Sequence, residues 1–129
     1  MSTEMQMLLF SIVLGLVQML LAASFNTQKY GMSWAFGNRD KLMPMLEGVG
    51  GRTVRAFHNF RETFPLFAAL VLLAAAMGHH DSLTLWGVQL YFWGRLVYLL
   101  VYMAGIIYLR TLVWLVSLVG LILLLIALF

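Results

Sequence analysis

Four apolar runs, near Met5–Ser24, Val54–Met77, Leu83–Ala104 and Thr111–Phe129, occupy most of this 129-residue chain. Each is close to the roughly 20 residues with which a helix crosses about 30 Å of hydrocarbon. Hydrophobic residues make up 63% of the sequence and charged residues 10%, which departs from the balance of a water-soluble domain. A membrane barrel is a poor match, because its strands alternate apolar and polar residues over about ten positions, whereas these runs are continuous. The expected fold is therefore all-α: an integral membrane four-helix bundle, a single domain over residues 1–129, with helices at about 5–24, 52–78, 83–104 and 111–129.

The first run has no basic residue before it and is longer than the roughly 7–15 residues of a secretory signal core, so it reads as a retained helix. The chain contains no Cys, which removes thiolate metal sites and cysteine nucleophiles; any thiol chemistry needs a thiol brought by a ligand. Lys29, Arg39, Lys41 and Arg52 lie between the first two runs or at the start of the second, and Arg110 lies between the last two. The opposite side carries Glu4 and the His79-His80-Asp81 turn. This asymmetry places the first and third loops in the cytoplasm and both termini outside. The same few, scattered basic residues make no nucleic-acid surface.

Residues Asn26 to Gly51 form the one long connection, and Trp34 and Phe36 within it read as anchors at headgroup level. His79-His80-Asp81 reads as a polar turn rather than a metal site, since adjacent histidines do not share a helix face and no fourth ligand is evident. Gln18 and Gln89 are expected to hydrogen-bond between helices, and Pro65 to kink the second run by removing the bond to the Arg61 carbonyl.

The second run is the informative one. Ionisable residues within a span are costly and persist where they face a bundle interior, pair with one another or hold a polar ligand. At about 100° per residue, Arg55, Asn59 and Glu62 fall within roughly 60° of arc, flanked by Arg52 and His58, while Arg61 points elsewhere. Tyr91, Arg95, Tyr98 and Tyr102 form a second stripe on the third run. With the topology above, these stripes and Arg110 converge in the cytoplasmic half. Either Glu62 pairs with Arg55 or Arg95 and the tyrosines hydrogen-bond across helices, so that the constellation is interhelical glue, or the excess of guanidiniums over carboxylate is met by an anionic ligand.

The order Arg55-Ala-x-x-Asn59-x-x-Glu62-x-x-Pro65-x-Phe67, then Arg95-x-x-Tyr98-x-x-x-Tyr102 and a downstream Arg110, resembles the MAPEG family, membrane-associated proteins in eicosanoid and glutathione metabolism. The likeness extends over nearly the whole chain, and Gly37-Asn38-Arg39-Asp40 in the first loop is similar to bacterial members. The resemblance implies a homotrimer in the bilayer, a bacterial inner-membrane location, and glutathione as co-substrate bound between subunits in the cytoplasmic half. It implies glutathione binding by Arg55, His58, Asn59, Glu62, Tyr98 and Tyr102, with Arg55 on a carboxylate and Glu62 on the γ-glutamyl ammonium. Arg52 and Arg95 would support the site, and Arg110 would stand beside the thiol and favour its thiolate. His58 replaces an Arg of prostaglandin E synthase, and Thr63 replaces a Tyr of leukotriene synthase, which alters the carboxylate contacts. The implied activity is a glutathione-dependent transferase or peroxidase acting on a lipophilic small molecule. The alternative is a non-catalytic lipid-binding or membrane-complex subunit of the same fold.

Overall fold

Ser2 opens the first helix by accepting a hydrogen bond from the Met5 amide at 3.2 Å, which satisfies one of the free donors every helix start leaves. The computed structural model describes all residues, Met1–Phe129, as five helices: α1 (Thr3–Tyr30), α2 (Met32–Phe36), α3 (Gly48–Ala76), α4 (Ser82–Ala104) and α5 (Ile107–Ala127). There is no strand. Three of them, α1, α3 and α5, are long and apolar enough to cross a membrane. The sequence reading expected four such spans. The helix α4 has 23 residues, but Gln89, Arg95 and its tyrosines and tryptophans interrupt its apolar stretch and keep it out of that set.

Helix ends also differ from the expected bounds. α1 continues six residues past Ser24 because Asn26, Thr27, Gln28 and Lys29 end the apolar run without breaking the helix. It stops at Gly31, whose φ of 92° suits a residue without Cβ. The short α2 falls inside the long connection, where the Tyr30 and Trp34 rings lie 4.8 Å apart and the Arg39 guanidinium sits 4.4 Å above Trp34. α3 starts at Gly48, ahead of the apolar run. α4 begins in a capping box: Asp81 accepts from the Thr84 amide at 2.9 Å, and the Thr84 hydroxyl accepts from the Asp81 amide at 3.1 Å. The same turn pairs His79 with Asp81 at 2.8 Å. Beside it the buried Glu4 carboxylate accepts from the Thr84 hydroxyl at 2.9 Å, which ties the start of α1 to the start of α4.

α4 and α5 pack as an antiparallel pair at very close range. A Cβ on Gly120 would come within 2.6 Å of the Gly87 carbonyl oxygen, and one on Gly94 within 3.1 Å of the Ser117 side chain. Small residues let two backbones approach in lipid, where apolar burial gives helices no net attraction and packing must supply it. One core joins α1, α3, α4 and α5 through Met7, Phe67, Val71, Val88 and Leu124; a second, through Leu14, Ala56, Phe60, Tyr98 and Leu99, underlies the polar stripe. The outer surface is apolar, with Phe10, Val13, Leu16, Leu112 and Ile122 all exposed. Such a surface suits lipid, and the buried polar residues Gln18, Thr53, Arg95 and Ser117 lie inside.

Two sequence expectations about glutamines are corrected. Gln89 does not bond between helices: its Oε1 accepts from the Trp93 indole at 2.9 Å, one turn along α4 itself. Gln18 is buried, yet its Nε2 meets no partner in the chain.

Candidate functional site

The middle of α3 carries its polar residues on two different sides, because a turn of 3.6 residues separates Arg55, Asn59 and Glu62 from Phe57 and Arg61. The first side faces α4 and the start of α5 across a cleft of about 360 Å³ lined by Arg55, His58, Asn59, Glu62, Tyr98, Tyr102 and Arg110. Seven residues separated by up to 55 positions in the chain thus share one cavity. Thr111 and Trp114 complete its wall. These two had no role in the sequence reading, although Trp114 follows Arg110 by one helical turn and so shares its face.

Arg110 reaches the cleft because Gly105, with φ of 80°, caps the end of α4, and α5 starts two residues after it. The early start puts Arg110 in the first turns of α5 instead of ahead of the helix. Its guanidinium lies 4.7 Å from the Tyr102 ring centre. Tyr102 meets Tyr98 edge-on at 5.5 Å, and Tyr98 in turn lies under the Arg95 guanidinium at 4.2 Å. The two tyrosines are therefore held between two cations, an arrangement that fixes their rings by the attraction of a cation to an aromatic face.

Arg95 and Arg52, the two expected supporting residues, stand outside the cleft. Arg95 is 1% exposed and donates from Nη1 to Asn59 Oδ1 at 2.9 Å, while its Nε and Nη2 have no partner. A guanidinium only donates, so the Asn59 carbonyl must point at Arg95 and the Asn59 amide NH₂ is left for the cleft. Arg52 donates from Nε to the Met103 carbonyl at 3.1 Å, near the end of α4. It lines a smaller recess of about 170 Å³ with Arg55, Tyr102 and Arg110, next to the main cleft. Tyr91, the first member of the expected tyrosine stripe, is turned into the core, stacked on Phe67 at 4.0 Å and 3.0 Å from the Thr63 hydroxyl.

The two ion pairs in the chain are His79–Asp81 and His80–Glu4, both far from the cleft in sequence and at the other end of α3. Glu62 therefore pairs with neither Arg55 nor Arg95, and the polar contacts that do tie α3 to α4 here are the Arg95–Asn59 and Tyr91–Thr63 hydrogen bonds. What remains is a cavity with two guanidiniums, one carboxylate, an amide, an imidazole and two phenols whose charges are not cancelled from within. That inventory can orient a compact ligand carrying both anionic and cationic groups. His58 also touches a recess on the α1 side, 3.5 Å from the Arg61 guanidinium.

In comparison with known proteins, the model of the MAPEG family fits residues 7–129, all of the chain but its first six residues. No curated protein and no solved structure matches the chain.

Proposed function

Since the chain belongs to the MAPEG family, we propose that it is a glutathione-dependent membrane transferase or peroxidase acting on lipophilic electrophiles. The observation that carries this reading is the charge inventory of the α3–α4–α5 cleft: Arg55 and Arg110 facing one Glu62, with no ion pair among them. Glutathione brings two carboxylates and one ammonium, the complementary set, and charge-assisted hydrogen bonds give both affinity and orientation. Arg55 takes a carboxylate, Glu62 the γ-glutamyl ammonium, and His58, Asn59, Tyr98 and Tyr102 hydrogen-bond along the peptide. A cleft of about 360 Å³ falls within the range of roughly 300–1,000 Å³ usual for small-molecule sites.

Arg110 stands beside the sulfur in this reading. A free thiol with pKa near 8.5 is only about 3% thiolate at pH 7, and lowering that pKa by about two requires roughly 2.7 kcal/mol of preferential stabilisation of the anion. A half-buried guanidinium supplies stabilisation of that size. Ionisation alone raises the thiolate population at most about thirtyfold, and a less basic thiolate is less nucleophilic, with a Brønsted slope of about 0.4–0.5. The remaining acceleration comes from holding the thiolate against an apolar partner that enters sideways from lipid. In conjugation, the sulfur lone pair forms a C–S bond and the leaving group departs with its electron pair. In peroxide reduction, the thiolate attacks the distal oxygen and the O–O bond breaks. The alkoxide takes a proton to become the alcohol, and a second glutathione converts the sulfenic acid to the disulfide and water.

The reading extends to the membrane. α4 is taken as the fourth span, with Arg95 and its tyrosines turned inward as the cost of charge in lipid demands. Arg55, His58 and Glu62 are exposed on the single chain, which leaves one wall of the cleft for a neighbouring subunit of a homotrimer. The lysines and arginines of the long connection support a cytoplasmic position for it, with both termini outside, and the likeness of its Gly37-Asn38-Arg39-Asp40 segment to bacterial members supports a bacterial inner membrane.

Ultraviolet difference spectroscopy of the purified protein with and without glutathione, repeated for Arg110→Ala, tests the proposal. A thiolate band in the wild type that disappears in the variant, with binding retained, is the expected result. Binding without a band in the wild type would remove the catalytic role of Arg110. No binding would turn the assignment to a non-catalytic lipid-binding or membrane-complex subunit of the same fold.

A further inference from the structure

Arg52, Arg55 and Arg110 surround the recess of about 170 Å³ that lies where α3 starts, α4 ends and α5 begins, with Tyr102 and the junction Gly105–Ile107 as the rest of its wall. Arg52 and Arg55 come together because residues three apart share a helix face, and Arg110 joins them from the first turn of α5. Two of the three heads are held. The Arg52 guanidinium packs on Gly105, 3.5 Å from where a Cβ there would stand, and its Nε donates to the Met103 carbonyl, which leaves both terminal nitrogens free. Arg110 is held over the Tyr102 ring.

No acidic residue lines the recess, and neither ion pair of the chain involves an arginine. Glu47 stands one residue ahead of α3, and Glu62 faces the adjoining cleft. The start of α5 adds to the imbalance, since it has no capping side chain and the free amides of a helix start carry partial positive charge. Like charges this close repel. An anion among them removes the repulsion and meets the free donors.

We propose that this recess binds a phosphate dianion, carried either by a soluble phosphomonoester or by the headgroup of a phosphatidic acid. A carboxylate offers two oxygens and one charge, enough for one guanidinium fork; a phosphate offers three oxygens and about two charges, which suits several forks at once. The recess has less than half the volume of the main cleft, so it admits a compact head only. In the topology proposed above it opens at the cytoplasmic end of the bundle, at the level where lipid phosphates meet water. Every wall residue comes from α3, α4 and α5 of one chain, so the site does not draw on the outer apolar faces that lipid or a neighbouring subunit covers. Arg55, Tyr102 and Arg110 also line the main cleft. Phosphate in the recess therefore competes for the guanidiniums that glutathione uses, and each ligand weakens the other by the same factor. This antagonism rests on the glutathione reading, whereas phosphate binding itself does not.

The test is calorimetric titration of the intact assembly in neutral detergent, at fixed ionic strength and mildly alkaline pH, with inorganic phosphate and dioctanoyl phosphatidic acid as probes and dioctanoylglycerol as the uncharged control. Wild type should bind at least the phosphatidic acid, ignore the control and gain unfolding temperature on binding. Arg52→Gln should weaken binding by about tenfold or more, the worth of a hydrogen bond to a charged group, and Arg52→Lys by less. Ile107→Glu sets a carboxylate at the recess from an exposed position with all three arginines in place, and should abolish binding. Arg39→Gln, an exposed arginine away from the recess, should bind as wild type does. Equal affinity for both probes assigns the site to soluble phosphate, and a preference for the lipid assigns it to the headgroup. No binding by wild type would overturn the proposal and give the three guanidiniums to a carboxylate of a neighbouring subunit. Unchanged binding in both Arg52→Gln and Ile107→Glu, or an equal loss in Arg39→Gln, would overturn it as well. Glutathione affinity measured with and without phosphate reads the antagonism: an unchanged value overturns that part alone, and a protein that binds phosphate but no glutathione overturns the glutathione reading instead.

Discussion

Arg95 of α4 reaches α3 through a single hydrogen bond, Nη1 to Asn59 Oδ1 at 2.9 Å, and its Nε and Nη2 meet nothing else in the chain. The contact fixes which way the Asn59 amide faces and leaves a buried cation with one polar partner. The arrangement is asymmetric in energy: removing the cation relieves a burial cost, whereas removing the amide strands it.

Asn59→Ala is therefore expected to destabilise the protein by about 2–3 kcal/mol, the cost of leaving a buried charged donor unsatisfied. Arg95→Met, which fills the same space without charge, is expected to cost less than half as much. Unfolding followed by circular dichroism in detergent compares the two. A larger loss in Arg95→Met would show that the guanidinium has partners beyond Asn59.

Arg55 and Glu62 are exposed in the cleft and bonded to nothing in the chain, so neither holds the fold together. Arg55→Ala and Glu62→Ala should each weaken glutathione binding by about tenfold or more, the worth of a charge-assisted hydrogen bond, with unchanged unfolding temperature. Calorimetric titration reads the affinity. Equal affinity in both variants would remove the proposed site.

The α4–α5 seam predicts a different kind of failure. A Cβ on Gly120 meets the Gly87 carbonyl oxygen at 2.6 Å and the Tyr91 amide nitrogen at 2.8 Å, and backbone cannot move aside as a side chain tip can. Gly120→Val should cost about 1–3 kcal/mol through overpacking and shift Tyr91 away from Thr63. Tyrosine fluorescence and unfolding temperature report both effects; a variant as stable as wild type would mean that the helices can separate without loss.

The turn before α4 gives a pH prediction. The hydrogen bond from the Thr84 amide, and secondly that from His79, hold the Asp81 carboxyl below its usual range. A carboxyl depressed in the folded state contributes stability above its unfolded pKa, about 3.9, and loses it as pH falls through the lower folded value. Asp81→Asn should thus lower the unfolding temperature at neutral pH, with the gap from wild type closing below about pH 3.9. A gap that stayed constant into acid would assign the effect to the cap geometry rather than to the charge.

Much of the site could be read from one helix at a time. The 3.6-residue period placed Arg55, Asn59 and Glu62 together and Arg61 apart, and that is how α3 presents them. The same period put Tyr91 in line with Tyr98 and Tyr102, yet Tyr91 is turned to Phe67 and Thr63, because a stripe of three turns is wider than one cavity. Hydropathy marked the apolar runs but not the helix ends, since Asn26 to Lys29 continue α1 beyond its apolar part. No periodic signal announced the five-residue α2, which is too short to show one.

By itself the sequence determined that the chain is helical, that its outer surface is apolar and that its ionisable residues fall into a few stripes, because composition and period act along a single chain. Only the tertiary structure decided that Arg95 is buried on Asn59, that Arg52 serves the end of α4 and that Arg110 enters the cleft with Trp114. Those outcomes depend on which helix faces which neighbour and at what depth. The close approach at Gly87, Gly94, Ser117 and Gly120 sets the register of α5 against α4 and so the position of Arg110, through contacts between residues far apart in the chain that no local pattern encodes.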